Sequence, residues 1–283
     1  MGIEKACERW NQRTPEFSGA AMLGQLVDYR VELGLAIIEL NRPPANTYSY
    51  EMMREFDEAI LAARMDEAVH VLIVRGKGEK FFSAGADIKM LASADPRFKY
   101  YFCLHANETL LRLEQTPKLV IAALNGHTVG GGLEIAMACD LRIACRDAGR
   151  IGLPEVNLGV LPGTGGTQRL PRLVGRSRAI ELMATGRTIS FEEALEMHLI
   201  DYVFDRDAFW EQILEYAHQF VPPNKASKAV GHIKRAVCTG MEVPLAEGLA
   251  VERELQQRLF DSSDAAEGLA AYVNKSVPLF KGV

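Results

Sequence analysis

Two stretches decide how this chain is read: Ala-Leu-Asn-Gly-His-Thr-Val-Gly-Gly-Gly-Leu-Glu134, residues 123–134, and Gly152-Leu-Pro-Glu155-Val-Asn-Leu-Gly-Val-Leu-Pro-Gly-Thr-Gly-Gly, residues 152–166. Each sets one glutamate in a frame of glycines, and the two glutamates stand about twenty positions apart. Gly130-Gly131-Gly132 followed by Leu133-Glu134-Ile135-Ala136-Met137-Ala138-Cys139 reads as a bare backbone turn feeding a helix. The N–H groups of such a turn are free to face an anion. Glu134 then lies in the first helical turn, beside those donors. A third segment, Phe82-Ser83-Ala84-Gly85-Ala86-Asp87-Ile88, is also small and turn-like, and it can bring a second backbone N–H to the same point. Two N–H donors and two carboxylates suit chemistry next to a carbonyl.

Outward from these stretches the chain alternates strands with helices. Residues 26–31 and 35–40 are two strand runs split by Glu32-Leu33-Gly34, a hairpin closed by a glycine turn and ended by Pro43-Pro44. Residues 50–65 follow a helical period, and 70–75 form a short apolar strand run. A second long helix over 98–115 is ended by Pro117, and 119–124 is again a strand. Past the glycine turn, 141–145 reads as strand, 178–183 and 191–197 as helices, and 199–203 as a last strand. Beyond residue 206 the strands stop, and amphipathic patterns such as 209–220 and 243–259 take over. The expectation is an α/β core over 25–205, an irregular N-terminal arm over 1–24 and a helical C-terminal region over 206–283.

Composition narrows the function. The 283 residues are 48% hydrophobic, enough for a sizeable core. A formal net charge of −5 argues against nucleic-acid binding through bulk positive charge. The five cysteines (Cys7, Cys103, Cys139, Cys145, Cys238) are odd in number and lack C-x-x-C spacing, so neither a disulfide framework nor a metal site is expected, and a reducing cytoplasm fits best. No run approaches the about 18 apolar residues that cross a bilayer, and Met1-Gly2-Ile3-Glu4-Lys5 has no apolar signal core. Met1-Gly2 has Ala6 where a myristoylation signal takes Ser or Thr.

At the segments Asn41-Arg42-Pro43, Ser83-Ala84-Gly85-Ala86-Asp87-Ile88-Lys89, Asn125-Gly126, Gly130 through Glu134, Cys139-Asp140, Pro154-Glu155 and Leu161-Pro162-Gly163-Thr164-Gly165-Gly166-Thr167-Gln168-Arg169-Leu170, the chain resembles the crotonase, or enoyl-CoA hydratase/isomerase, superfamily. The resemblance runs from about residue 26 to the C-terminus. It implies a crotonase-like spiral of ββα units with perpendicular sheets, trimers or paired trimers, and an acyl-CoA thioester as substrate, with coenzyme A carried by the substrate and no separate cofactor. Carried over residue by residue, it makes Glu134 the base that activates water and Glu155 the acid that protonates the α-carbon. The N–H groups of Ala84 and Gly131 become the oxyanion hole, and Gly163 comes to lie next to the catalytic water. Ala45, Ala84, Ala86 and Ile88, with Asp87 in the same segment, match positions that recognise the adenine end and pantetheine arm. Lys281 matches a lysine that meets CoA phosphates, with Lys275 and Lys89 as looser candidates. Pro44 stands where many members carry a basic residue, so one phosphate contact is expected to be missing. The acyl pocket is expected along residues 90–95 and near Phe260.

Each motif also has a plainer reading. An acid in a first helical turn complements the helix dipole, and an acid after proline in a loop is usually solvated. Gly163-Thr164-Gly165-Gly166-Thr167 lacks the Gly-Lys-Ser/Thr ending of a nucleotide loop. His127, entering a turn, is a hydrogen-bonded spacer more often than a base, and Gln168-Arg169 reads as structural. The leading expectation is a 2-enoyl-CoA hydratase forming a 3-hydroxyacyl-CoA. The alternatives are an enoyl-CoA isomerase or a branched- or aromatic-acyl hydratase of the same fold and, from another class, an oligomeric scaffold.

Overall fold

The computed structural model describes residues 22–283. The expected arm lies outside them except for its last residues, and Met22–Leu23 is not irregular but forms strand β1 against Asp28 and Tyr29. Strands β2 (Val27–Glu32) and β3 (Leu35–Leu40) make the expected hairpin. Its turn residues Leu33 and Gly34 both take positive φ, 47° and 83°, the primed geometry whose twist matches that of the flanking strands. Helix α1 (Tyr50–Met65) starts where the Ser49 side chain accepts the Met52 N–H. It leads into β4 (Val71–Gly76) and the short β5 (Phe81–Ser83). Asp87 and Asp95 cap α2 (Ile88–Ser93) and α3 (Pro96–Glu114), and Pro96 occupies the first turn of α3, where no N–H is needed.

There follow β6 (Leu119–Leu124), β7 (His127–Val129), α4 (Gly131–Met137), β8 (Leu141–Cys145) and β9 (Arg150–Gly152). A 3-10 turn at Glu155–Leu158 precedes α5 (Gly166–Val174) and α6 (Arg176–Thr185). Then come β10 (Ile189–Ser190), α7 (Phe191–Glu196) and β11 (Tyr202–Phe204). The chain ends in α8 (Phe209–His218), α9 (Ser227–Gly240), α10 (Leu245–Phe260) and α11 (Ser263–Asn274).

Two sheets result. The larger has seven strands in the order β1-β2-β3-β4-β6-β8-β11, parallel from β3 onward. The central strand β6 is apolar throughout, and β4 is apolar over residues 71–74, because both faces are covered. On β4, Leu72 and Val74 join the main core with Phe56, Ile60 and Leu110. Val71 and Ile73 point the other way, into a second cluster with Phe209, Ile213 and Ala217 of α8. The first helix beyond residue 206 therefore closes the back of the core sheet.

The smaller sheet, ordered β10-β9-β7-β5, has strands of two or three residues, and β5, β7 and β9 run parallel. None of its strands is expected from the sequence, since runs this short show no period. His127 serves here as a spacer, its ring Nδ1 accepting the Arg150 N–H at 3.1 Å. Because Ile213 is fully buried in the back cluster, Ile213→Ala is expected to cost about 2–5 kcal/mol, read as a lower urea midpoint at unchanged slope.

Candidate active site

Each strand of the parallel β5-β7-β9 trio delivers one part of the site just past its C-terminal end: Ala84-Gly85-Ala86 after β5, Gly130-Gly131 after β7, and Pro154-Glu155 after β9. These parts face one cavity of about 520 Å³, whose lining includes Ala86, Gly131, Glu134, Glu155, Gly163 and Thr164.

The two expected donors need one correction. The Ala84 N–H is spent on the Ala45 carbonyl at 2.9 Å, so it cannot serve a ligand. Gly85 then turns the chain with φ +84°. Tyr48 bridges to the far side, donating its N–H to the Gly85 carbonyl and accepting the Asp87 N–H, each at 2.9 Å. In such a bridge the residue between the two contacts points its own N–H the opposite way. That residue is Ala86, whose N–H has no partner among the described residues. The Gly131 N–H is equally free, as first-turn donors of a helix are. A Cβ at Gly85 would lie 2.7 Å from the Gly131 nitrogen, and one at Gly131 would run into the Tyr48 ring. The two free N–H donors beside the cavity are thus those of Ala86 and Gly131, not of Ala84 and Gly131, among the described residues.

The carboxylates sit in contrasting surroundings. Glu134 is 2% exposed. Its Oε1 accepts the Thr164 N–H at 2.8 Å and the Gly166 N–H at 2.7 Å, and its Oε2 meets the Thr164 hydroxyl. Burial pushes its carboxyl above the usual range, while the three donors and the more distant Arg169 pull it back. Arg169 is held by Glu114 at 2.8 Å, so it is structural, as expected.

Glu155 has no comparable set of donors, and its Oε2 is buried without a partner among the described residues. Burial pushes its carboxyl up to about 7, and the charge of Glu134 adds to the effect. One group is therefore held in place by donors, and the other is poised to carry a proton near neutral pH.

The remaining expected residues divide. Gly163 and Ile88 line the cavity, and the Asn107 side chain holds the Gly163 carbonyl at 3.1 Å. Asp87 is not available to a ligand: its Oδ1 caps α2, its Oδ2 pairs with Arg42 at 2.6 Å, and its N–H is bonded to Tyr48. Ala45 acts through its carbonyl, which is already bonded to Ala84. Lys281 is not among the cavity residues; its N–H and that of Gly282 are tied to the buried Asp264 at 2.7 and 2.8 Å. Of the expected acyl pocket only Leu91 lines the cavity, and Phe260 does not. Phe102, Cys103, Val160 and Leu161 line the cavity instead. Their apolar spacing reads as ordinary helix and loop packing, so the sequence offers no signal for them.

The enoyl-CoA hydratase/isomerase family profile matches residues 30–283. An enoyl-CoA hydratase structure from Geobacillus kaustophilus superposes with a TM-score of 0.91 at 49% identity, covering 94% of this chain and all of that one. The short-chain-enoyl-CoA hydratase of Clostridium acetobutylicum is 38% identical over 85% of this chain and 92% of its own length. The mitochondrial methylglutaconyl-CoA hydratase of Mus musculus is 35% identical over 88% of this chain and 80% of its own. The chain belongs to the enoyl-CoA hydratase/isomerase family.

The raised carboxyl of Glu155 sets a sign for stability. The folded chain holds this proton more tightly than the unfolded one, so that stabilisation is present below about pH 4.5 and is lost as pH rises to about 7. Glu155→Gln should melt higher than the unaltered protein at pH 8 and show no such advantage at pH 4. Melting curves at the two pH values check it.

Proposed function

We propose that this protein is a 2-enoyl-CoA hydratase, adding water reversibly across the double bond conjugated to the thioester to give a 3-hydroxyacyl-CoA. The observation that carries the reading is the convergence on one cavity of the buried Glu134, the partly buried Glu155 and two N–H donors without partners among the described residues. The thioester oxygen would sit between Ala86 and Gly131, where negative charge grows as the carbonyl becomes enolate-like. One such donor supplies about 2.7–4 kcal/mol in the transition state. Glu134, clamped by the 164–166 turn, takes the proton from water as its oxygen bonds to the β-carbon. Gly163, one residue before that turn, is placed to orient the water. Glu155 then gives its proton to the α-carbon, and in dehydration the two exchange roles.

Ile88, about half exposed, and Leu91 suit the pantetheine arm and the start of the acyl chain. Phe102, Val160 and Leu161 suit an apolar acyl group. The alternative isomerase needs only one carboxylate for its proton shuttle, whereas both face this cavity. Four described cysteines are free thiols, which supports a reducing compartment. No helix of the described residues is long and apolar enough to cross a membrane.

Glu134→Gln and Glu155→Gln are each expected to slow hydration by about 100-fold or more, followed by loss of the conjugated thioester absorbance. Wild-type rates in either variant would end the two-carboxylate mechanism, and an isomerase would shift a 3-enoyl-CoA without taking up water from a 2-enoyl-CoA. For the unaltered enzyme, hydration should decline as pH rises through about 7, where Glu155 loses its proton, and dehydration should decline below it. The pair titrates together, so the limbs of kcat/KM belong to both groups.

We also propose a trimer or a pair of trimers. Ile233, Val237, Met241, Leu245, Tyr272 and Val273 on α9 to α11 are exposed in the single chain, more apolar surface than an isolated subunit normally leaves to water. Sedimentation is expected to give about three or six times the 31.3 kDa chain mass, and a monomer at micromolar concentration would refute it.

A further inference from the structure

Tyr48 touches both halves of the site, yet the proton transfers assigned above do not use it. Its backbone fixes Gly85 and Asp87 and so aims the Ala86 N–H into the cavity. Its ring occupies the space beside the Gly131 Cα, against Phe102 at 5.8 Å between centroids. Its hydroxyl lies 3.3 Å from the Thr164 Oγ1, which in turn contacts the Glu134 Oε2. The phenol is 2% exposed, and burial beside the Glu134 charge holds its proton on well beyond the usual range, so it remains a donor.

We propose that Tyr48 is a positioning residue that holds the base and the oxyanion donors as one unit, its hydroxyl acting on Glu134 through Thr164. Thr164 has one hydroxyl proton. When Glu134 is ionised that proton goes to the carboxylate, and the threonine oxygen is left to accept from Tyr48. The chain Tyr48→Thr164→Glu134 then polarises toward the charge and strengthens the last bond. When Glu134 gains a proton the direction reverses, with Glu134 donating to Thr164 and Thr164 to Tyr48. The same three groups therefore satisfy both charge states without moving a heavy atom.

The other titratable and charged groups facing Glu134 are Cys103 on α3, Glu155 beyond β9 and Arg169 on α5. None of them hydrogen-bonds to Thr164 Oγ1, so the effect through Thr164 belongs to Tyr48 alone among the described residues.

The kinetic arm of the test rests on the hydratase reading, and a spectroscopic arm does not. Tyr48→Phe keeps the ring against Phe102 and Gly131 and removes only the hydroxyl. It is expected to lower kcat for hydration about tenfold, the scale of one bond in a charged network, with KM nearly unchanged. The acid limb of kcat/KM, to which ionisation of Glu134 contributes, should move to higher pH. In a Thr164→Val background the same change should have no further effect, because the link is already cut. Independently, the carboxyl titration of Glu134, followed by carbon-13 NMR of labelled glutamate in the substrate-free protein and assigned with Glu134→Gln, should shift upward in Tyr48→Phe. An unmoved titration, or a full further loss on top of Thr164→Val, overturns the proposal. Should the unaltered protein hydrate no enoyl-CoA, the assigned reaction fails, while the carboxyl titration still decides for or against Tyr48.

Discussion

Gly85 and the amide of Gly131 lie so close that no side chain fits between them, and this contact between two backbones sets the rest of the site. It places two donors side by side without a single polar side chain, which leaves their geometry independent of rotamers. The contact needs three strands to arrive together. With β5, β7 and β9 only three residues each, their mutual hydrogen bonds could not hold alone in water. The small sheet is therefore sustained by its surroundings: Phe82 and Ile151 sink into the main core, and the Asn46 amide donates to the Lys77, Phe81 and Phe82 carbonyls. Asn125 secures the neighbouring turn through Gly76 and Gly78. Precision at the cavity is thus imported from a large rigid sheet to a small one.

Electrostatics follow from the same enclosure. Two carboxyl groups in one poorly hydrated cavity cannot both be comfortably ionised, and the fold resolves this asymmetrically. The turn at residues 163–166 supplies two backbone donors and a hydroxyl to Glu134, while Glu155 keeps a buried oxygen without a donor among the described residues. A hydratase working near neutral pH needs that difference, one group to accept a proton and the other already holding one. Equal environments would leave the pair sharing a proton with no preferred direction.

Much of this was legible from residue order. The hairpin, the helix at Tyr50–Met65, the strands Leu119–Leu124 and Leu141–Cys145, and both glutamates stand in runs long enough, or frames rich enough in glycine, to be read directly. The small sheet was not legible, because a three-residue strand has no period, and its existence depends on partners distant in sequence. The choice between Ala84 and Ala86 shows the limit most clearly. Both are alanines in one tight segment, and only the bond from Ala84 to the Ala45 carbonyl, with the Tyr48 bridge, tells which N–H is left over. The contact between Tyr48 and Thr164 is not legible for the opposite reason: 116 positions separate them, and no local pattern joins a tyrosine before α1 to a threonine before α5.

The turn at residues 163–166 carries two duties that would otherwise compete. Gly163 lines the cavity where the proposed mechanism puts the water, and Thr164 and Gly166 clamp Glu134, the proposed base. Asn107 grips the Gly163 carbonyl, and Arg169, paired with Glu114, reaches the Thr164 carbonyl at 3.4 Å. Asn107 and Glu114 both stand on α3, the helix that also presents Phe102 and Cys103 to the cavity. A displacement of α3 by a poorly fitting acyl group would therefore move the wall, Gly163 and the Glu134 clamp together. In the proposed mechanism acyl fit and base alignment are coupled through one helix, so selectivity among acyl groups should be felt in turnover as well as in binding, because the clamp aligns Glu134 only when the wall is in place.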